Sequence, residues 1–133
     1  MKNVLFVCVN NSCRSQMAEA FARRHAPENI QIYSAGTNPT GIHPRVFEVM
    51  GEIGAPVEGQ YSKSLDEVPL DRIDTCITIC GSKDSCPSIP GAAHQNWGLP
   101  NPAAAFGTKD EVLTTFRSVR DEINKRVKAL FGK

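Results

Sequence analysis

Residues 3–8 read Asn-Val-Leu-Phe-Val-Cys, a short unbroken apolar run rich in β-branched and aromatic side chains. A strand with apolar residues on both faces must be covered on both, which is the situation of a buried strand in a parallel sheet. After a polar stretch, residues 15–24 supply good helix formers, with Met17, Ala18, Phe21 and Ala22 on one face. Strand, loop and helix thus open the chain, and the order recurs. Residues 30–35 (Ile-Gln-Ile-Tyr-Ser-Ala) form a second strand pattern, and residues 36–41 are rich in turn formers. Pro44 suits the first turn of a helix, and Val46, Val49, Met50 and Ile53 follow at helical spacing up to Gly54.

Residues 58–70 are polar and predict irregular chain with a short helical turn, and residues 73–80 (Ile-Asp-Thr-Cys-Ile-Thr-Ile-Cys) predict another buried strand. Residues 81–102 read as a loop that holds four of the nine prolines and the only tryptophan, Trp97. Thr108-x-x-Glu111 is a capping-box pattern, and Val112, Phe116, Val119, Ile123, Val127 and Leu130 continue it as an apolar stripe. Lys125, Arg126 and Lys128 lie toward the negative end of that helix. The expected fold is α/β, a three-layer open parallel sheet of about four strands with helices on both faces. Residues 1–133 are expected to form one domain, because no linker, repeat or low-complexity segment divides them. A chain of this size buries roughly two-thirds of its unfolded surface, enough for one core. The formal net charge of +1 provides no basic field for nucleic acid or an anionic membrane, so any anion must be held by a local site.

Five cysteines are present: Cys8, Cys13, Cys76, Cys80 and Cys86. The opening MKNVLFVC lacks the pattern of a secretory signal, so a cytoplasmic protein is expected, in which cysteines are core residues, metal ligands or reactive thiols. No C-x-x-C occurs, and His25, His43 and His94 are not closely paired with cysteines, so no metal is expected. His43 and His94 read as structural or surface residues, and Trp97 as packing beneath the loop.

The chemistry is concentrated in Cys8-Val9-Asn10-Asn11-Ser12-Cys13-Arg14-Ser15, where five residues separate a cysteine from an arginine. Between a strand and a helix, such a loop can turn the backbone N–H groups of Val9, Asn10, Asn11, Ser12, Cys13 and Arg14 around a tetrahedral oxyanion, aided by the positive helix end. Arg14 offers a planar fork to two oxygens. The same field favours the nucleophilic thiolate of Cys8, and Ser15 can donate a hydrogen bond to its sulfur. The spacing alone is also compatible with a buried strand-end cysteine and a surface arginine. The strand-turn-helix setting favours the site. Cys13 is expected to pack as a small apolar residue.

These residues resemble the low-molecular-weight phosphotyrosine phosphatases and, within that fold family, the thioredoxin-coupled arsenate reductases. The resemblance rests on V-C-V-N-N-S-C-R-S-Q-M-A-E-A-F at 7–21, Y-S-A-G at 33–36, His43-Pro44, I-T-I-C-G at 77–81 and Cys86-Pro87. It continues with Trp97-Gly98-Leu99-Pro100-Asn101-Pro102-Ala103 and F-R-x-V-R-D-E-I at 116–123. It implies arsenate as substrate, thioredoxin as reductant, no cofactor, a monomer, and three thiols acting in turn: Cys8 on arsenate, Cys80 on Cys8 and Cys86 on Cys80. Residues 81–85 are rich in small and polar residues, which suits the rearrangement that carries Cys86 to Cys80. Cys76 receives no role from the resemblance and is expected to pack in the core.

The sequence departs from the family pattern at several positions. Asn101 stands where the family has the aspartate that acts as general acid, and an amide supplies no titratable proton. Ala103 follows the proline where the tyrosine phosphatases carry an aromatic wall. Asn10 stands where the reductases more often carry glycine, and left-handed backbone, which asparagine tolerates, is expected there. Potassium-binding relatives use an acidic residue near Tyr61-Ser62-Lys63, and Lys63 is expected to take the place of that cation. Two alternatives to the reductase reading are a protein tyrosine phosphatase using Cys8 and Arg14, and an oxyanion- or metalloid-binding sensor without turnover.

Overall fold

The computed structural model describes residues 1–80 and 89–132. Four strands, β1 (Asn3–Cys8), β2 (Gln31–Gly36), β3 (Thr75–Thr78) and β4 (Ala93–Asn96), form one parallel sheet in the order β2-β1-β3-β4. Val4 to Val7 of β1 have no solvent exposure, as expected of a strand with neighbours on both edges and cover on both faces. β1 lies between the second and third strands, so the chain reverses its direction of travel across the sheet at β1. The crevice at the carboxyl end of such a strand is where open α/β sheets bind ligands, and Cys8 ends β1.

Three α-helices, α1 (Arg14–His25), α2 (Pro44–Gly51) and α3 (Lys109–Leu130), pack with Val4, Phe6 and Ile77 in one apolar cluster. On the opposite face Leu5, Val7 and Cys76 meet Val68, Ile73 and Ile89, with Leu65 and Leu70 of the short 3-10 helices Leu65–Glu67 and Leu70–Arg72 packed against them. Helices therefore cover both faces, but α-helices only one of them among the described residues.

The capping box of α3 forms as expected: Glu111 N donates to Thr108 Oγ1 at 3.1 Å, and Thr108 N donates to Glu111 Oε1 at 3.2 Å. Its buried stripe is Leu113, Phe116, Val119, Arg120, Ile123 and Val127, while Val112 and Leu130 are partly covered at its ends. Buried Arg120 donates to Val49 O and Glu52 at 2.8 Å each, clasping α2 to α3. The second helix ends at Gly51 instead of reaching Ile53, because residues 51–54 close in a turn with Gly54 at φ 67°. β4 falls inside the stretch expected to be loop. Its residues Ala-His-Gln-Asn are all exposed and carry no strand pattern, and its pairing with β3 makes it a strand.

Gly36 lies opposite Cys8 in the β1–β2 register, where β2 meets the loop that leaves β1. A Cβ on Gly36 would stand 2.5 Å from Val9 O and 2.8 Å from both Asn11 N and Cys8 O, all of them backbone atoms. A side chain at this point can be accommodated only by displacing the loop. Gly36→Ala is expected to destabilise the fold by about 1–3 kcal/mol, the cost of overpacking a tight site, read as a lower urea midpoint. An unchanged midpoint would show that the loop yields freely.

Candidate active site

The loop from β1 to α1 is held from outside through its carbonyl groups. Val9 O accepts from Asn38 N (2.8 Å), Asn10 O from Thr40 N (3.2 Å) and Ser62 Oγ (3.1 Å), and Asn11 O from Gln16 Nε2 (3.2 Å). Ser12 O accepts from His43 N (3.2 Å) and Cys13 O from Met17 N (3.0 Å). In a trans peptide the C=O and the following N–H point in opposite directions. Carbonyls anchored in this way leave the next N–H groups on the opposite side of each peptide, and the loop borders a cavity of about 140 Å3 lined by Cys8, Asn10, Ser12, Cys13, Arg14, Thr40, His43, Asn101 and Ala103. No acidic residue lies in the first turn of α1, so nothing there neutralises its positive end.

Left-handed backbone occurs at Asn11 (φ 46°), not at Asn10 as the sequence suggests. The reason lies beneath the loop, where the Asn11 carboxamide is fully buried. Its Nδ2 donates to Ser15 Oγ (2.8 Å) and Ser34 Oγ (3.1 Å), and its Oδ1 accepts from Gln16 Nε2 (2.8 Å) and Lys63 N (2.8 Å). Left-handed backbone at a non-glycine residue costs about 1–3 kcal/mol, and these bonds hold it in place. Because Ser15 Oγ accepts from Asn11, its own proton is free to point at Cys8 Sγ, 2.9 Å away. Below Ser34, whose hydroxyl donates to the Glu19 carboxylate, lies the Lys63 ammonium. It is 3.5 Å from Glu19 Oε1 and 3.4 Å from Ser34 Oγ, and it donates to Tyr61 O at 2.9 Å. A protein-borne cation thus sits under the loop.

Cys8 and Arg14 are both nearly fully buried and border the same cavity, and Arg14 Nη1 donates to Leu99 O at 3.0 Å. That bond ties the loop to the 97–103 segment, whose Asn101 also lines the cavity. Asn101 caps the 3-10 helix Pro102–Ala104 by accepting from Ala103 N at 3.1 Å. Trp97 is buried, its ring centroid 5.9 Å from that of Phe6, in keeping with a packing role. The structure brings His43 to the cavity, which sequence reading missed. The signal available was Pro44 at the start of a helix, which makes His43 an N-cap.

Cys8, Cys13 and Cys76 are free thiols, whereas Cys80 is disulfide-bonded. Cys80 is buried two residues beyond β3, and Ile79 N donates to Val7 O at 2.7 Å, which sets it at the same end of the sheet as Cys8. Cys86 lies outside the described residues. Burial pushes the Cys13 thiol up to about 12 and the Cys76 thiol up to about 11. For Cys13 this burial outweighs the opposing effect of its hydrogen bond with Ser12, so both groups stay protonated near neutrality.

The match to known proteins covers the same loop and the rest of the chain. Residues 3–133 match the family model for low molecular weight phosphotyrosine protein phosphatase. The chain belongs to that family. An arsenate reductase of Halalkalibacterium halodurans is 40% identical over 129 residues, spanning 96% of this chain and 93% of that protein. A solved arsenate reductase in its phosphate-binding state superposes with a TM-score of 0.83 at 34% identity, covering 99% of this chain and 98% of that one. A thioredoxin-dependent arsenate reductase of Corynebacterium glutamicum has a TM-score of 0.76 at 30% identity, and covers 99% of this chain and 61% of that one. Within the family, this chain's loop thus has its carbonyls anchored outward and a buried cysteine at its start. Among the described residues no helix is long and apolar enough to cross a membrane.

Limiting alkylation of the native protein at pH 7.5 is expected to modify Cys8 ahead of Cys13 and Cys76, because the latter two have almost no thiolate. Ser15→Ala is expected to slow the reaction at Cys8 by removing a donor to its sulfur. Peptide mass spectrometry checks both, and equal labelling of Cys13 would contradict the assignment.

Proposed function

We propose that this single-domain protein is an arsenate reductase that uses Cys8, Cys80 and Cys86 in succession, with thioredoxin as reductant. The observation that carries the reading is the loop: its carbonyls are anchored by hydrogen bonds, and it borders a small cavity together with Cys8 and Arg14. Relatives of similar length bearing the arsenate reductase name agree with it.

In this reading the N–H groups of residues 9–14 and the Arg14 guanidinium hold arsenate. The Cys8 thiolate attacks arsenic, and one oxygen leaves as hydroxide, taking a proton from water. Cys80 as thiolate then attacks Cys8 Sγ. An S–S bond forms, the As–S bond breaks, and its electron pair stays on arsenic, which leaves as arsenite two electrons reduced. Cys86 attacks Cys80, releases the Cys8 thiolate and leaves a Cys80–Cys86 disulfide for the two thiols of thioredoxin to reduce. A free Cys8 beside a disulfide-bonded Cys80 is the state this sequence reaches after its last internal exchange. The buried, protonated thiols of Cys13 and Cys76 take no part. The reading also carries a cytoplasmic monomer, with arsenate as the small-molecule substrate and neither nucleic acid nor membrane as partner.

Ala103 borders the cavity where phosphotyrosine would require a flat aromatic wall, so this site disfavours aryl phosphates. Asn101 has its side-chain oxygen engaged with Ala103 N and offers no acidic proton. The reduced protein is expected to consume NADPH in the presence of arsenate, thioredoxin and thioredoxin reductase. Cys8→Ser, Cys80→Ser and Cys86→Ser should each abolish multiple turnover, while p-nitrophenyl phosphate hydrolysis stays slow throughout. Arsenate binding without NADPH loss under any condition would instead make the protein a sensor, and phosphatase turnover that survives Cys86→Ser would make it a phosphatase. Asn101→Asp is expected to raise the rate of adduct formation, within the roughly hundred- to ten-thousandfold that general acids contribute. No gain in single-turnover arsenite release would remove position 101 from the acid site.

A further inference from the structure

His43 does two things that the sequence does not connect: it caps α2 and it borders the oxyanion cavity. Its Nδ1 accepts a hydrogen bond from Arg45 N at 3.1 Å, so the neutral ring carries its hydrogen on Nε2. Its backbone N–H donates to Ser12 O, which ties the residue to the loop, and its ring packs on Phe116 with centroids 5.0 Å apart. The imidazole is thereby fixed, yet Nε2 has no hydrogen-bond partner among the described residues. Among the described residues Cys8, Ser12, Cys13, Arg14 and Asn101 stand around the cavity, and none of that lining is a carboxylate.

We propose that His43 is a substrate-contacting residue whose Nε2–H donates a hydrogen bond to an oxygen of the bound oxyanion. The inference rests on the oxyanion-binding reading of the loop and adds a donor from outside it. Among the described residues, Arg45 of its own helix bonds the ring, uncharged Phe116 from α3 packs on it, and Cys8, Cys13 and Arg14 of the loop border the same cavity. Partial burial, together with the Arg45 charge, pushes the imidazole below its ordinary 6.5, so the ring is neutral near pH 7. Neutrality matters for both tasks, because a protonated Nδ1 could no longer accept from Arg45 N. The ring keeps its proton throughout: it donates a hydrogen bond, and the departing oxygen is protonated by water. A fixed neutral donor also supplies polar contact where Asn101, occupied with its own turn, supplies no acid.

Two substitutions separate the two ring nitrogens. His43→Asn keeps an acceptor near the position of Nδ1, and so keeps the cap, but has nothing at Nε2. His43→Gln reaches toward the Nε2 position with an amide N–H and gives up the short-range cap. The probe is inorganic phosphate titrated calorimetrically into the reduced protein, with melting temperature measured in parallel. His43→Asn is expected to bind phosphate about tenfold more weakly or worse at unchanged melting temperature, the usual cost of losing a hydrogen bond to a charged group. His43→Gln is expected to melt lower and bind phosphate within about threefold of the parent, since the donor is retained. The opposite pattern, with His43→Asn binding like the parent and His43→Gln losing affinity, would make His43 a helix cap only and overturn the proposal. Parent protein that fails to bind phosphate, or binds it equally well as Arg14→Ala, would overturn the oxyanion reading of the loop along with it. Binding that depends on Arg14 and is indifferent to His43→Asn sinks this inference alone.

Discussion

The carboxamide of Asn11 joins parts of the chain that lie far apart in sequence. Its two hydrogens and its oxygen make four hydrogen bonds, to Ser15, Ser34, Gln16 and Lys63, inside a fully buried site. A buried amide left unsatisfied costs about 1–3 kcal/mol by mutational measure, so these four partners must stay in register with one another. Through them the left-handed turn at Asn11, the hydroxyl that meets Cys8, Ser34 of β2 and the segment at Lys63 are joined in one hydrogen-bonded unit. The Glu19–Lys63 pair beneath completes it, with each charge held by the other and by Ser34.

This underlayer fixes a short loop at the edge of the cavity that Cys8 and Arg14 border. A chain whose formal charge is only +1 cannot attract an oxyanion by its overall field. It can do so with local dipoles, provided that N–H groups face inward and their carbonyls are satisfied elsewhere. Those acceptors are satisfied by Asn38, Thr40, Ser62, Gln16, His43 and Met17, so α1 and two later segments of the chain hold one turn of backbone. The sheet order places this turn at the crevice beside β1, and α1 begins in it.

Much of this was legible in one dimension. The apolar runs gave away β1 and β3, and Thr108 with Glu111 marked the start of α3. The spacing of Cys8 and Arg14 between a strand and a helix identified the loop. Other features left no local trace. β4 is four exposed residues with neither alternation nor β-branched side chains, and an edge strand that only borrows its hydrogen bonds from β3 needs none. The left-handed residue was misplaced by one position, because its choice depends on which asparagine side chain finds buried partners. His43 looked isolated because its neighbours in space come from the loop and from α3.

By itself the sequence determined the fold class, the strand-loop-helix setting of Cys8 and Arg14, and the division of five cysteines into candidates for chemistry and for packing. Residue type and short-range spacing suffice for these, since strands, helices, caps and the C-x5-R turn are built from neighbours. Tertiary structure alone decided which partners hold the loop's carbonyls, what lies beneath Asn11 and which residues from distant segments line the cavity. Those outcomes depend on hydrogen bonds and packing between segments that the chain brings together only on folding, where each buried donor and acceptor must find a partner.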